Sequence, residues 1–107
     1  MDSCMNFTYM FTNIISEIGE FSGKIAKAKR QKKLEIRDDE LVLFRFQEDE
    51  LNTFLHGLKM EWFDVLWQWM GMCEYMGWDP EELLQMGLEK LAKRKAENKI
   101  DGEGDDR

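Results

Sequence analysis

The stretch Met60–Met76 reads MEWFDVLWQWMGMCEYM. At about 100° per residue, Glu61, Asp64, Gln68, Gly71 and Tyr75 fall within roughly 80° of one another, and everything outside that seam except Glu74 is apolar. A helix with this circumference is expected to be buried, which takes the seam at least partly out of water as well. Unpaired buried carboxylates cost several kcal/mol each. Glu61 and Asp64 therefore call for hydrogen bonds, a Lys or Arg, or a metal ion.

A second acidic pair with the same spacing stands toward the N-terminus, Glu17 and Glu20 in SEIGEFSGKIAKAKR. Three residues apart on a helix, both carboxylates of a pair point one way, so two antiparallel helices can bring four negative charges to one point. Phe11, Ile14, Ile18, Phe21, Ile25 and Ala28 recur at steps of three and four, which predicts a packing stripe on this first helix. Glu17, Glu20, Lys24 and Lys27 follow one residue behind, about 100° round, at the border of the stripe.

The spacing predicts a first helix over about 6–30, ending in the basic run Lys27, Lys29, Arg30, Lys32, Lys33. That run reads as a solvated helix end favoured by the macrodipole. The stretch Gln31–Gln47 fits no single pattern: its ELVLFRF admits a short strand, a helical turn or an oligomer contact, and the stretch is taken as irregular. A long helix over about 48–76 follows, with a bend expected near Gly57 and Gly77 as its C-cap. Asp79, Pro80, Glu81 and Glu82 form a strong helix start, and the third helix runs to about Arg94. The resulting expectation is an all-α domain over 1–95, an antiparallel bundle of three to four helices, with a flexible polar tail over 96–107.

With 107 residues, one modest core is the limit. Four tryptophans and eight methionines exceed what it can hide, so the bundle is expected to be completed by oligomerisation, as a homodimer or homotetramer. A formal charge of −7 argues against a nucleic-acid backbone as partner, though not against a small nucleotide delivered with metal ions. No apolar run is long enough to cross a membrane, and MDSCMNFTYMFTNII lacks the basic start of a signal peptide, so the expected location is the cytoplasm. Cys4 and Cys73 read as ordinary reduced thiols, and His56 as a structural or surface residue.

Taken in order, SEIGEFSGKIAKAKR, then EWFDVLWQWMGMCEYMGWDPEELLQMGLEKLAKR, then IDGEGDDR resemble the MazG-like nucleoside triphosphate pyrophosphohydrolases, within the all-α superfamily that also contains dimeric dUTPases. A lone ExxE or ExxD is a weak signal; the ordered set is far more specific. The resemblance implies Mg²⁺-dependent cleavage of a (d)NTP into (d)NMP and pyrophosphate, with Mn²⁺ a possible substitute. It matches Glu17, Glu20, Glu61 and Asp64 to the metal ligands and catalytic carboxylates, and Lys24, Lys90, Arg94 and Arg107 to the substrate phosphates. Ser16 stands where that family usually carries a further Glu, and Gly87 where an Asn is common. The chemistry is consistent with the residues: Mg²⁺ takes carboxylate oxygen and keeps waters, and no His or Cys joins the cluster. The competing reading is a non-catalytic helical protein that oligomerises, or that sequesters a nucleotide on a degenerate site.

Overall fold

Asn6 is extended, and its side-chain oxygen accepts from the Tyr9 N–H at 2.8 Å, so the first helix, α1, starts at Phe7 and runs Phe7–Arg30. The computed structural model describes residues 5–97. After α1 come two strands, β1 (Leu34–Arg37) and β2 (Glu40–Leu43), and two helices, α2 (Glu48–Met76) and α3 (Pro80–Ala96). The chain divides into two compact units, Met1–Met72 and Cys73–Arg107. No helix among the described residues is long and apolar enough to cross a membrane.

The described residues are mainly helical, in keeping with the expected all-α class, and the strands correct the expectation that 31–47 is irregular by adding one small sheet. β1 and β2 pair antiparallel, Leu34 with Leu43 and Arg37 with Glu40. Asp38 and Asp39 make the turn, at φ 50° and 64°, as a two-residue hairpin of the primed kind requires. Asp tolerates this conformation, but without glycine the turn leaves little trace in sequence. Leu34 is 1% exposed and anchors the hairpin.

Both ends of α2 carry their own caps. The Glu50 carboxylate accepts from the Gln47 N–H at 3.1 Å, one half of a capping box. At the other end Gly77 has φ 73°, its N–H donates to the Glu74 carbonyl, and the Trp78 N–H donates to the Cys73 carbonyl at 2.9 Å, the Schellman pattern. α2 is helical throughout, Gly57 included. In the second unit, Asp79 caps α3 by accepting from the Glu81 N–H at 3.0 Å, with Pro80 at the first helical position. α3 continues to Ala96, and the expected tail lies outside the described residues from 98 onward, Arg107 with it.

Within the first unit α1 and α2 run antiparallel. Met10 lies against Gly71, Phe21 against Trp62 with ring centroids 5.1 Å apart, Lys24 beside Gly57, and Lys33 ion-pairs with Glu50. A Cβ on Gly71 would stand 3.2 Å from the Met10 sulfur, so a side chain there must displace Met10.

The inner face of α1 is rotated from the expected stripe. Met10, Glu17 and Ala28 share one line, since offsets of seven and eleven residues return to within about 20°. Met10 and Ala28 are buried and Glu17 half-buried, whereas Phe11 and Ile18 are 50% and 48% exposed. Glu17 thus stands within the inner face and not at its border. On α2, Trp62 stays 59% exposed although it meets Phe21, and Phe63, Leu66 and Trp67 are about half exposed or more.

Candidate metal centre

Two helical seams build the centre. Glu61 and Asp64, one turn apart on α2, face Glu17 of α1, and one carboxylate oxygen from each of the three lies within 4.8 Å of the others. All three side chains are half-buried. Glu17 Oε2 and Glu61 Oε2 are shut off from solvent and make no hydrogen bond. Such oxygens are costly unless something satisfies them, because a desolvated acceptor forfeits its water without replacement.

The electrostatics carry the same tension. Glu17 is raised above the ordinary glutamate range, first by withdrawal from water and then by repulsion from Glu20, Asp64 and Glu61. Glu61 is raised as well, by withdrawal from water, then by the adjoining Glu20 carboxyl and by Asp64, with Lys24 pulling the other way. Glu20 is exposed and stands outside the triad, yet its charge reaches both glutamates. Three carboxylates at this spacing, with Lys24 beside Glu61, are the residues that could hold a hard cation.

Beyond Lys24 the groove between α1 and α2 opens into a cavity of about 450 Å³. Lys24, Lys27 and Lys33 line it, together with Phe46, Thr53 and Phe54. The rings of Phe46 and Phe54 are stacked at 5.1 Å, and Lys33 lies 5.6 Å from the Phe46 centroid. No sequence pattern points to these two phenylalanines. Phe46 precedes the helix that carries Phe54, so no helical period links them.

The remaining residues matched to phosphate lie elsewhere in the chain. Lys90 and Arg94 are on α3 in the second unit, one turn apart; Lys90 is exposed and Arg94 half-buried. Gly87, on the same helix, has open space around the position of a Cβ. Cys73 is a buried free thiol, and His56 is exposed on α2. Comparison with protein-family models gives no match, and neither curated proteins nor solved structures give one.

Proposed function

We propose that the chain is a Mg²⁺-dependent nucleoside triphosphate pyrophosphohydrolase that cleaves a (d)NTP to (d)NMP and pyrophosphate. The observation that carries the reading is the pair of desolvated, unpartnered oxygens, Glu17 Oε2 and Glu61 Oε2, inside a triad with Asp64. Glu17, Glu61 and Asp64 hold the cation and Glu20 supports it from the rim; the donor set is all carboxylate, which suits Mg²⁺ and admits Mn²⁺. When bound, the metal neutralises triphosphate charge and activates water for attack. The protein's own part is to fix the carboxylates, to set Lys24 beside them, and to offer the Phe46–Phe54 pair as a surface for the base. Lys90, Arg94 and Arg107 are assigned to the phosphates by the order of the motifs. Pyrophosphate release across a panel of (d)NTPs, in Mg²⁺, in Mn²⁺ and in chelator, tests the reading. Nucleotide binding without turnover would favour a sequestering protein, the alternative to which the Ser16 departure points.

Lys24 provides a graded test. Its charge lowers Glu61, so in Lys24→Ala the deprotonated, metal-binding form of Glu61 is reached only at higher pH. The acid limb of kcat/KM against pH should move upward, with KM for nucleotide raised about tenfold or more, the loss of one charge-assisted contact. An unshifted acid limb would remove Lys24 from the centre.

The outward face of α2 is assigned to a second copy of the chain. In the first unit only Met10, Ala28, Leu34 and Leu58 are buried among the described residues, too little apolar burial for independent stability. Trp67 is 64% exposed, with Phe63, Leu66 and Met70 exposed on the same helix, and Trp62 is 59% exposed even against Phe21. An exposed apolar face of this kind marks an interface. Sedimentation at micromolar concentration should return a dimer or tetramer; a monomer of 12.8 kDa is the contrary result.

A further inference from the structure

A second cluster of charge lies at the far end of α1. The chain is acidic overall, yet Lys29, Lys32, Arg37 and Arg45 line one cavity of about 430 Å³ where α1 meets the hairpin. Lys29 is twelve residues beyond Glu17, roughly 18 Å along the helix at 1.5 Å per residue, so the two sites are separate. One carboxylate, Glu35, lines the same cavity and ion-pairs with Arg37, and Glu40 stands opposite Arg37 in the hairpin register. Among the described residues Lys29, Lys32 and Arg45 form no ion pair.

The macrodipole accounts for cations on the last turn of α1 but not for the two arginines, which the hairpin brings in. Both guanidinium groups are set on the Phe44 ring, at 5.7 Å for Arg37 and 5.4 Å for Arg45. Arg37 already has the Glu35 carboxylate as its counter-ion, so Arg45 is the guanidinium of the two that has no ion pair among the described residues.

The backbone supplies an independent sign. Lys32 has φ 61° and Arg45 φ 63°, both in the left-handed region. Lys32 closes α1: its N–H donates to the Lys29 carbonyl and the Lys33 N–H to the Ala28 carbonyl, both at 3.0 Å. That is the position where helices prefer glycine, because a Cβ is strained there. Two long cations thus occupy left-handed positions on one cavity, Lys32 at the cap of α1 and Arg45 just after β2, where glycine would be the less strained residue.

We infer that this cavity binds a small, multiply charged phosphate anion through Lys29, Lys32, Arg37 and Arg45, without a metal ion. The inference is independent of whether the acidic centre turns over a nucleotide. Two sources share the chemistry, a free inorganic polyphosphate and the triphosphate of a nucleotide.

Calorimetric titration of the full chain in chelator, with tripolyphosphate and separately with a nucleoside triphosphate, tests it. Tripolyphosphate should bind the wild type, with affinity falling steeply as salt rises. Equal binding of the two ligands identifies inorganic phosphate as the recognised group; tighter binding of the nucleotide identifies its triphosphate. The double variant Lys32→Gly, Arg45→Gly should lose at least about tenfold in affinity, since each charge-assisted contact is of that order. Its melting temperature should be unchanged or higher, because glycine relieves the left-handed positions. Absence of tripolyphosphate binding, or unaltered binding in the double variant, overturns the inference. So does a loss of binding accompanied by a lowered melting temperature, which would assign both residues to the fold.

Discussion

Asp64→Asn should lower pyrophosphate release by about 10³-fold or more while helix content and oligomeric state stay as they are. The substitution keeps the shape of a half-buried side chain and removes one of the three charges that face each other between α1 and α2. Holding Mg²⁺ against nucleotide phosphate depends on that charge, and loss of metal catalysis removes several kcal/mol of barrier lowering, each 1.36 kcal/mol being about tenfold in rate. In chelator the same change takes a repelling neighbour away from Glu17 and Glu61, so the variant should melt no lower than the wild type and can melt higher. Activity and metal-free stability thus move in opposite directions. A structural role for Asp64 would lower both. Near-normal turnover by Asp64→Asn would remove it from the centre.

Mg²⁺ should raise the melting temperature, and by an amount that grows with pH. A ligand that binds only the folded state at 100 times its Kd adds about 2.7 kcal/mol, which is about 10 °C or more for a domain of this size. The sign with pH follows from Glu17 and Glu61, both raised in the folded protein. Between the ordinary glutamate range and those raised values the folded state holds more protons than the unfolded one, so without metal its stability is greatest at low pH and falls as pH rises through the raised values. Metal requires the deprotonated carboxylates, so its contribution is absent at low pH and appears over the same window. Melting in chelator should therefore decline across that window while the increment from Mg²⁺ grows. Equal melting in Mg²⁺ and chelator near neutral pH would mean that the cluster is not a metal site.

The helices were legible because their ends are written in local chemistry. Asn6, Gly77 and the Asp79-Pro80 pair each satisfy or terminate a helix by a rule that needs no tertiary context. The hairpin was not, because Asp38 and Asp39 turn the chain without glycine and each strand is only four residues long. Periodicity also misjudged α1, since it ranks Ile18 above Glu17 as a core residue. In the fold the line through Met10, Glu17 and Ala28 faces α2, and Ile18 is turned outward. Burial on a helix is decided by its partner, and the partner here presents a polar seam. The spacing of the acidic pairs conveyed a geometry, carboxylates three apart facing one way; Glu20 shows its limit, being on the same helix as Glu17 yet outside the triad. The Phe46–Phe54 pair and the basic cavity were invisible for a common reason. Each joins residues across an element boundary, where no period runs.

Phosphorus NMR of a (d)NTP incubated with the protein in Mg²⁺ tests the central claim most directly, because the products identify the bond that breaks. Cleavage between the α- and β-phosphates gives monophosphate and pyrophosphate in equal amounts, and chelator should stop it; this is the result expected from the Glu17, Glu61 and Asp64 centre. Diphosphate with inorganic phosphate, or a spectrum unchanged across the whole (d)NTP panel, would contradict it.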